Sequence, residues 1–523
     1  LAGFRSLFNQ RGHPRFFGKM KSSRVFSFFF FVAFAAAAQT GTNSVATRPM
    51  SLPDCIQQAL QQNFDVQIQR YNPQISLYDL RAAYGGYDPT FNISGQHNYD
   101  VAPSRFNPNQ TNQTPPTISD ENSFNSGIKG TLPLGLQYDF SGNISETYGN
   151  NGLPFDSSGG NIGVTLLQPL LKNFWIDTTR LNIRVAKNRL KYSEQGLRQQ
   201  LITSVTAVVT AYYELIFAQQ NVQVQQQALD LAQTQLDQDK QRVQIGTLAI
   251  LAVQQDESQV AQSQANLIAA QSTLDTDQNA LKNLLTDDYS KWHDTDIQPT
   301  AKLEAAQELI DLQDSWSKGL AERPDLLQAK LNVEQQGIQL KYYRNQLFPE
   351  LDLIGSYGFN GASSGLNGAN AQYDPTIDQI GSGNAPYYSY GAQLTMPLSN
   401  IGPRNQYRST KATLQQIMLQ LKQLEQNIMV DIDNAVKQVE SDYQSVQATK
   451  QARIYAEAAL DAEQKTYGVG KATTFEVLTY QNNLTAARSQ EIRALANYNE
   501  ALATLAQQEG TILEQYNINL EAK

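Results

Sequence analysis

Two stretches of the chain, from Asn182 to Leu285 and from Asn405 to Leu505, carry a hydrophobic repeat too long for an ordinary globular domain. In the first, Leu201, Val205, Val208, Tyr212 and Leu215 alternate spacings of four and three and lead into Val222, Leu229, Leu236 and Val243. Gln219, Gln226 and Gln233 occupy the intervening seam positions. The second runs through Leu414, Met418, Leu421, Ile428, Ile432, Ala435, Val439 and Val446, with Glu425 and Asp442 at polar seam positions. Heptads sustained this long predict coiled coil. Asn182 to Val243, helical throughout, would span roughly 90 Å at about 1.5 Å per residue. Each stretch reads as two long helices joined by a glycine turn. The turns are Arg242-Val243-Gln244-Ile245-Gly246-Thr247 and Tyr467-Gly468-Val469-Gly470-Lys471. Glycine suits the left-handed conformation that ends a helix.

The faces of these helices are unusual. Only 17% of the 523 residues are charged, and the net charge is −9. Soluble coiled coils usually expose Glu and Lys, whereas Gln, Asn, Ser and Thr fill the polar positions here. Such a surface suits a polar lining or extensive contact between helices. The acidic balance argues against a nucleic-acid partner, because phosphate binding needs clustered Lys and Arg. A single cysteine, Cys55, forms no internal disulfide. Three scattered histidines, His13, His97 and His293, offer neither a metal centre nor a histidine-based catalytic site. The glycine-rich segment from Gly355 to Gly368 lacks the Lys-Ser/Thr ending of a phosphate loop. No enzymatic activity, catalytic residue or cofactor is expected.

Met20 to Gln39 reads MKSSRVFSFFFFVAFAAAAQ. Lys21 and Arg24 precede an apolar run from Val25 to Ala35, and Ala36-Ala37-Ala38 supplies the small-residue cleavage pattern. This is the pattern of a secretory signal peptide spanning 20–38, cut between Ala38 and Gln39. Residues 1–19 precede the start at Met20 and read as an over-extended gene start. After the signal no further run of eighteen apolar residues is found, so no transmembrane helix is expected. A chain of this kind enters a membrane only as a β-barrel.

Landmarks recur in the two halves, 39–290 and 291–523. Asp65 stands 24 residues before Pro89, and Asp325 stands 24 before Pro349. Gly95 and Gly355 each follow the proline by six. Gln168-Pro169-Leu170 is answered by Met396-Pro397-Leu398, and Gly246 by Gly470. The pattern predicts a duplicated unit of first helix, strands and long helical hairpin. The first helices are expected over Ser51–Tyr84 and Ala301–Asn345. After each proline the period becomes two: Phe91, Ile93 and Gly95 alternate with Asn92, Ser94 and Gln96, and Ile162, Val164 and Leu166 with Gly163, Thr165 and Leu167. Leu351, Leu353 and Gly355 begin a third strand, and Tyr388, Tyr390, Ala392 and Leu394 form the return. Strands of about ten residues, rich in aromatics, fit a tilted crossing of a bilayer. The connections Ala102–Glu121 and Asn360–Pro386 read as solvent-facing loops. The first half is longer, and its surplus lies around Ser123–Asn150, with a turn expected at Pro133-Leu134-Gly135. The tail from Gly510 to Lys523 shows no pattern.

Together these features resemble the TolC-like outer-membrane efflux proteins. The resemblance rests on Pro89, Gly95, Gln168-Pro169-Leu170, Val243-x-x-Gly246, Pro349, Gly355, Met396-Pro397-Leu398 and Tyr467-x-Val469-Gly470, and covers about Ser51 to Gln507. It implies an α+β membrane protein with an internal duplication. A trimeric outer-membrane β-barrel, with about four strands per subunit, would continue into a long periplasmic α-helical coiled-coil barrel. Four strands close no barrel alone, and open edges have no place in lipid, so a homotrimer is expected. The implied role is the exit duct of a tripartite efflux or type I secretion system. Its partners would be a periplasmic adaptor, an inner-membrane pump and outer-membrane lipid. A soluble periplasmic coiled-coil scaffold or adaptor is the alternative. The resemblance places the periplasmic aperture at the glycine-turn tips, where Glu476 matches an acid of the family pattern. Thr479 and Ala252 stand where acids are often found, and Ala472 replaces an arginine that pairs with one of them. Ile245, Gly246, Thr247, Val469, Gly470 and Lys471 are the implied turn and adaptor-docking residues, flanked by Leu248 and Phe475.

Overall fold

The computed structural model describes residues 46–104, 116–365 and 371–518. The signal peptide, its cleavage point at Ala38 and Gln39, and residues 1–19 lie outside the described residues.

The chain opens with β1 (Ala46–Met50), α1 (Leu52–Gln62) and α2 (Phe64–Tyr84). Strands β2 (Thr90–Ala102), β3 (Thr117–Thr131), β4 (Gln137–Asn150) and β5 (Pro154–Pro169) follow, and then the hairpin of α3 (Thr178–Gln244) and α4 (Ile250–Leu285). The second half repeats the plan. It comprises β6 (Thr295–Pro299), α5 (Leu312–Glu322), α6 (Pro324–Asn345), β7 (Glu350–Gly365), α7 (Tyr373–Ser382), β8 (Pro386–Thr395), α8 (Ile401–Gly468) and α9 (Thr474–Glu509), with α10 (Ile512–Gln515) at the end. The duplication holds in detail: α1 and α5 each have 11 residues, α4 and α9 each have 36, and α3 and α8 have 67 and 68. At about 1.5 Å per residue, α3 and α8 are each roughly 100 Å long.

The expected first helices are each broken once, for chemical reasons. Asn63 leaves the helix, and its side-chain oxygen accepts from the Asp65 and Val66 amides, which restarts the chain as α2. In the second half Pro324 forces Arg323 out of helical geometry and then serves at the first position of α6. Residues 301–311 form no helix. They lie along α9, with the Ala306 and Glu304 carbonyls accepting from Tyr498 and Asn499.

The principal core is built where both repeats converge. Leu201, Val205, Val208, Tyr212 and Leu215 of α3 pack with Ile56, Val66, Leu281, Leu285 and Ile297. Part of α3 is long and apolar enough to cross a membrane, and most of that part is buried in this core. Strand β1 pairs in parallel with β6, and the Tyr212 hydroxyl clamps the pair. It donates to the Met50 carbonyl at 3.1 Å and accepts from the Thr300 and Ala301 amides. The patternless tail joins the same core through Ile512 and Leu513, after Gly510 ends α9 at φ +78°.

Six strands, not about four, form one antiparallel sheet in the order β2-β3-β4-β5-β7-β8. The difference is the surplus segment of the first half. It folds as the hairpin β3–β4, turning at Gly135 with φ +83°, and inserts between β2 and β5. Register sorts the two faces, because directly paired residues point to the same side. One row across all six strands reads Phe91, Ile128, Phe140, Val164, Tyr357, Tyr388. Three residues along the strands, and so on the opposite face, Ser94, Asn125, Asn143, Asn161 and Asn360 form a polar row across five of them. The apolar face is bare over most of its area, with Tyr390 86% and Ile93 74% exposed. The connection expected as a loop over Asn360–Pro386 instead begins with the end of β7 and contains α7. This helix lies on the apolar face, where the Thr376 hydroxyl donates to Ser158 at 3.0 Å and Tyr373 meets the edge of Phe124.

Candidate functional site at the paired hairpin tips

The two hairpins end in matching turns. At the first, Ile245 caps α3, Gly246 sits at φ +79°, and the Thr247 amide donates to the Arg242 carbonyl at 2.9 Å. The second has Val469, Gly470 at φ +77°, and Lys471 donating to Thr466 at 3.1 Å. These closures satisfy the last helical carbonyls, and the left-handed residue is glycine because other residues pay a steric cost there. A Cβ on either glycine would meet nothing. Backbone conformation alone therefore fixes these positions.

Around the turns the surface is apolar. Ile245, Ile250, Leu251, Val469 and Phe475 are each well over half exposed. Leu248 is half-buried, and Thr247 and Lys471 are exposed. Glu476 is exposed and occupied locally. It accepts from the Thr473 amide at 2.7 Å and the Thr473 hydroxyl at 3.0 Å, while the Thr473 hydroxyl caps the Glu476 amide. This capping box starts α9. The Thr473 amide, then its hydroxyl, hold the Glu476 carboxyl below the usual carboxylate range. Thr479 is exposed, and its hydroxyl donates back to the Phe475 carbonyl at 2.8 Å. Ala252 is 7% exposed, so within one chain it packs inside the tip and faces no solvent path.

Behind the turns lies a buried polar cluster that the sequence reading missed. Asp239 of α3 and Asp256 of α4 are fully buried. One Asp239 oxygen accepts from Tyr467 at 2.6 Å, from Gln235 at 3.0 Å and from Thr474 at 3.3 Å. Tyr467 ends α8 and Thr474 begins α9, so Asp239 ties the first hairpin to the second. The Arg242 guanidinium lies 4.6 Å from the centre of the Tyr467 ring and 3.9 Å from the other Asp239 oxygen. Burial, then the bond to Asp239, push the Tyr467 phenol up to about 12. A signal was present: Asp256 falls on the buried stripe of α4 with Ala252, Ser263, Leu267 and Ala270, a position for an apolar side chain. Asp239 had no such signal, because its burial depends on the second hairpin.

Nearer the principal core, Arg493 of α9 grips Glu214 of α3 through two bonds of 2.6 and 2.9 Å. Glu500 stands 3.7 Å from the same guanidinium. Burial, then the Glu214 charge, push the Glu500 carboxyl up to about 7. Among the described residues no group of three or more His, Cys, Asp or Glu is placed to hold a metal ion.

Residues 135–286 and 301–511 match the model of the outer membrane efflux protein family. The chain belongs to that family. It is 25% identical to the outer membrane protein TolC of Vibrio cholerae over 369 residues, which cover 69% of this chain and 78% of that protein. Against TolC of Escherichia coli the identity is 25% over 320 residues, covering 60% of this chain and 62% of the other. The outer-membrane channel OprN superposes with a TM-score of 0.65 at 15% identity, covering 88% of this chain and 90% of OprN. The efflux-channel class and the outer-membrane location follow from this membership, with the helical hairpins on the periplasmic side. The family is one of channels rather than enzymes. With it the alternative of a soluble periplasmic scaffold falls away.

Proposed function

We propose that three copies of this chain assemble into one exit duct, fed by an inner-membrane pump through a periplasmic adaptor. The observation that carries the reading is the sheet: its apolar face is bare over most of its area, and among the described residues its edges β2 and β8 have no partner strand. Unpaired strand edges in lipid cost several kcal/mol per polar group, so the sheet is completed by other copies of itself. The row of Asn125, Asn143, Asn161 and Asn360 then faces the lumen, while Phe91, Phe140, Tyr357 and Tyr388 face lipid.

At the other end the tips form the periplasmic aperture. Exposed Ile245, Val469 and Phe475 beside Gly246, Thr247, Gly470 and Lys471 supply an apolar docking surface for the adaptor. Glu476 supplies the acid of the constriction, favouring cations. Thr479 and Ala252 bring no charge to that ring.

A photoreactive side chain placed at Lys471 tests the reading in cells, with the captured partner identified by mass spectrometry. An adaptor of a drug or metal pump assigns the duct to efflux, and an adaptor of an ATP-driven protein exporter assigns it to secretion. A detergent-extracted trimer that captures no periplasmic partner overturns docking at the tips.

A further inference from the structure

Among the described residues, three oxygens in the tip cluster find no hydrogen-bond partner: Oδ1 of Asp239 and both carboxylate oxygens of Asp256. All three are buried, and the two carboxyl groups lie within hydrogen-bonding reach of each other. Two ionised carboxylates so placed would repel in a medium that screens little, and would leave their acceptors facing one another. One proton resolves both problems. Placed on Asp256, it is donated to Oδ1 of Asp239, whose other oxygen already receives Tyr467, Gln235 and Thr474. We infer that Asp239 and Asp256 share a single proton and form a latch that acid closes, joining α4 to α3 and, through Tyr467 and Thr474, to the second hairpin. The inference rests on the duct reading above for its effect on transport.

The surroundings give the latch its sign. From α3, Arg242 approaches Asp239 but is drawn onto the Tyr467 ring. From α4, Glu257 turns outward to Lys240 of α3 at 3.7 Å. Tyr467 of α8 brings a neutral phenol and Thr474 of α9 a hydroxyl, while the nearby Glu476 is engaged by Thr473. Burial first, then the Asp239 charge, push the Asp256 carboxyl up to about 7, from an ordinary 3.8 when the tip is open to water. The closed tip therefore binds one more proton than the open tip between these values. Closure is strongest below about pH 4 and weakens as pH rises toward about 7, by about tenfold per pH unit for each subunit. Above about 7 both states have lost the proton and the dependence levels off.

Two measurements on the purified full-length oligomer test this. In planar bilayers, the wild-type open fraction should rise between pH 4.5 and pH 7 and then flatten. Asp256→Asn keeps the shape and offers an amide donor to Asp239, so its open fraction should stay low and flat throughout. Infrared spectra of wild type at pH 5 should show the carbonyl stretch of a protonated carboxyl that is absent from Asp256→Asn and fades near pH 7. A missing band overturns the shared proton. A band that titrates while the open fraction stays flat, or a variant with wild-type pH dependence, overturns the latch. An oligomer that conducts at no pH would count against the duct reading instead, and the infrared band from the same sample would still decide the proton.

Discussion

Glu500 shows how one side chain can set a pH dependence far from the tips. Its carboxyl is pushed up to about 7 in the folded chain, from 4.5 when solvated, and one of its oxygens has no partner. The folded state thus holds a proton that the unfolded chain releases above about pH 4.5. The packing around Glu500 is fully stable below that value and is weakened as pH rises to about 7, by roughly 3 kcal/mol at about 1.36 kcal/mol per pH unit. Glu500→Gln should raise the apparent thermal midpoint at pH 8 and leave it nearly unchanged at pH 4.5, read by circular dichroism. At the tip, Glu476→Gln separates two roles. Glutamine also serves in a capping box, so helix stability should hold, while the loss of charge should lower cation preference in single-channel recordings. Unchanged selectivity would remove Glu476 from the pore. The turns were legible in sequence, since Gly246 and Gly470 were placed by turn chemistry alone, whereas Glu476 was singled out only because it matches an acid of the family pattern. Asp239 was not, because a buried carboxylate on a long polar helix looks like any exposed one until its partners Tyr467 and Thr474 arrive from a distant stretch of chain.

Elements were read well where periodicity lasts and poorly where side chains interrupt it. The long hairpins followed from heptads, and the strands after Pro89 and Pro349 from period two. Helix Ser51–Tyr84 was expected whole because Asn63 interrupts a continuous apolar pattern with a single capping side chain. Strands β1 and β6 were missed because five-residue strands in a parallel pair have too little alternation to stand out. The hairpin β3–β4 is the clearest case for experiment. Removing residues 117–150 takes out two antiparallel strands, which leaves β2 running correctly to pair with β5. The apolar row would then pass from Phe91 directly to Val164. The variant should still assemble in the outer membrane, with a narrower barrel visible in end views by electron microscopy. Failure to assemble would make the hairpin part of the closure itself.

At the scale of the whole molecule, the sheet explains why low charge and long helices occur in one chain. A tall hairpin with polar, weakly charged faces lines a passage, and a bare apolar sheet face demands lipid at one end of it. The clasp of β1 against β6 adds a consequence in time. The partners Met50 and Pro299 stand 249 positions apart in sequence (299 − 50), and Tyr212 locks the pair only when both are present. Contacts this far apart in sequence form late, because the loop between them must first be closed. A chain emerging from its N-terminus can wind its first hairpin early. It cannot seat its own first strand until more than half of its length has been delivered. The first repeat thus waits, unsealed, for the second, and any factor that guards the emerging chain must stay with it for that interval.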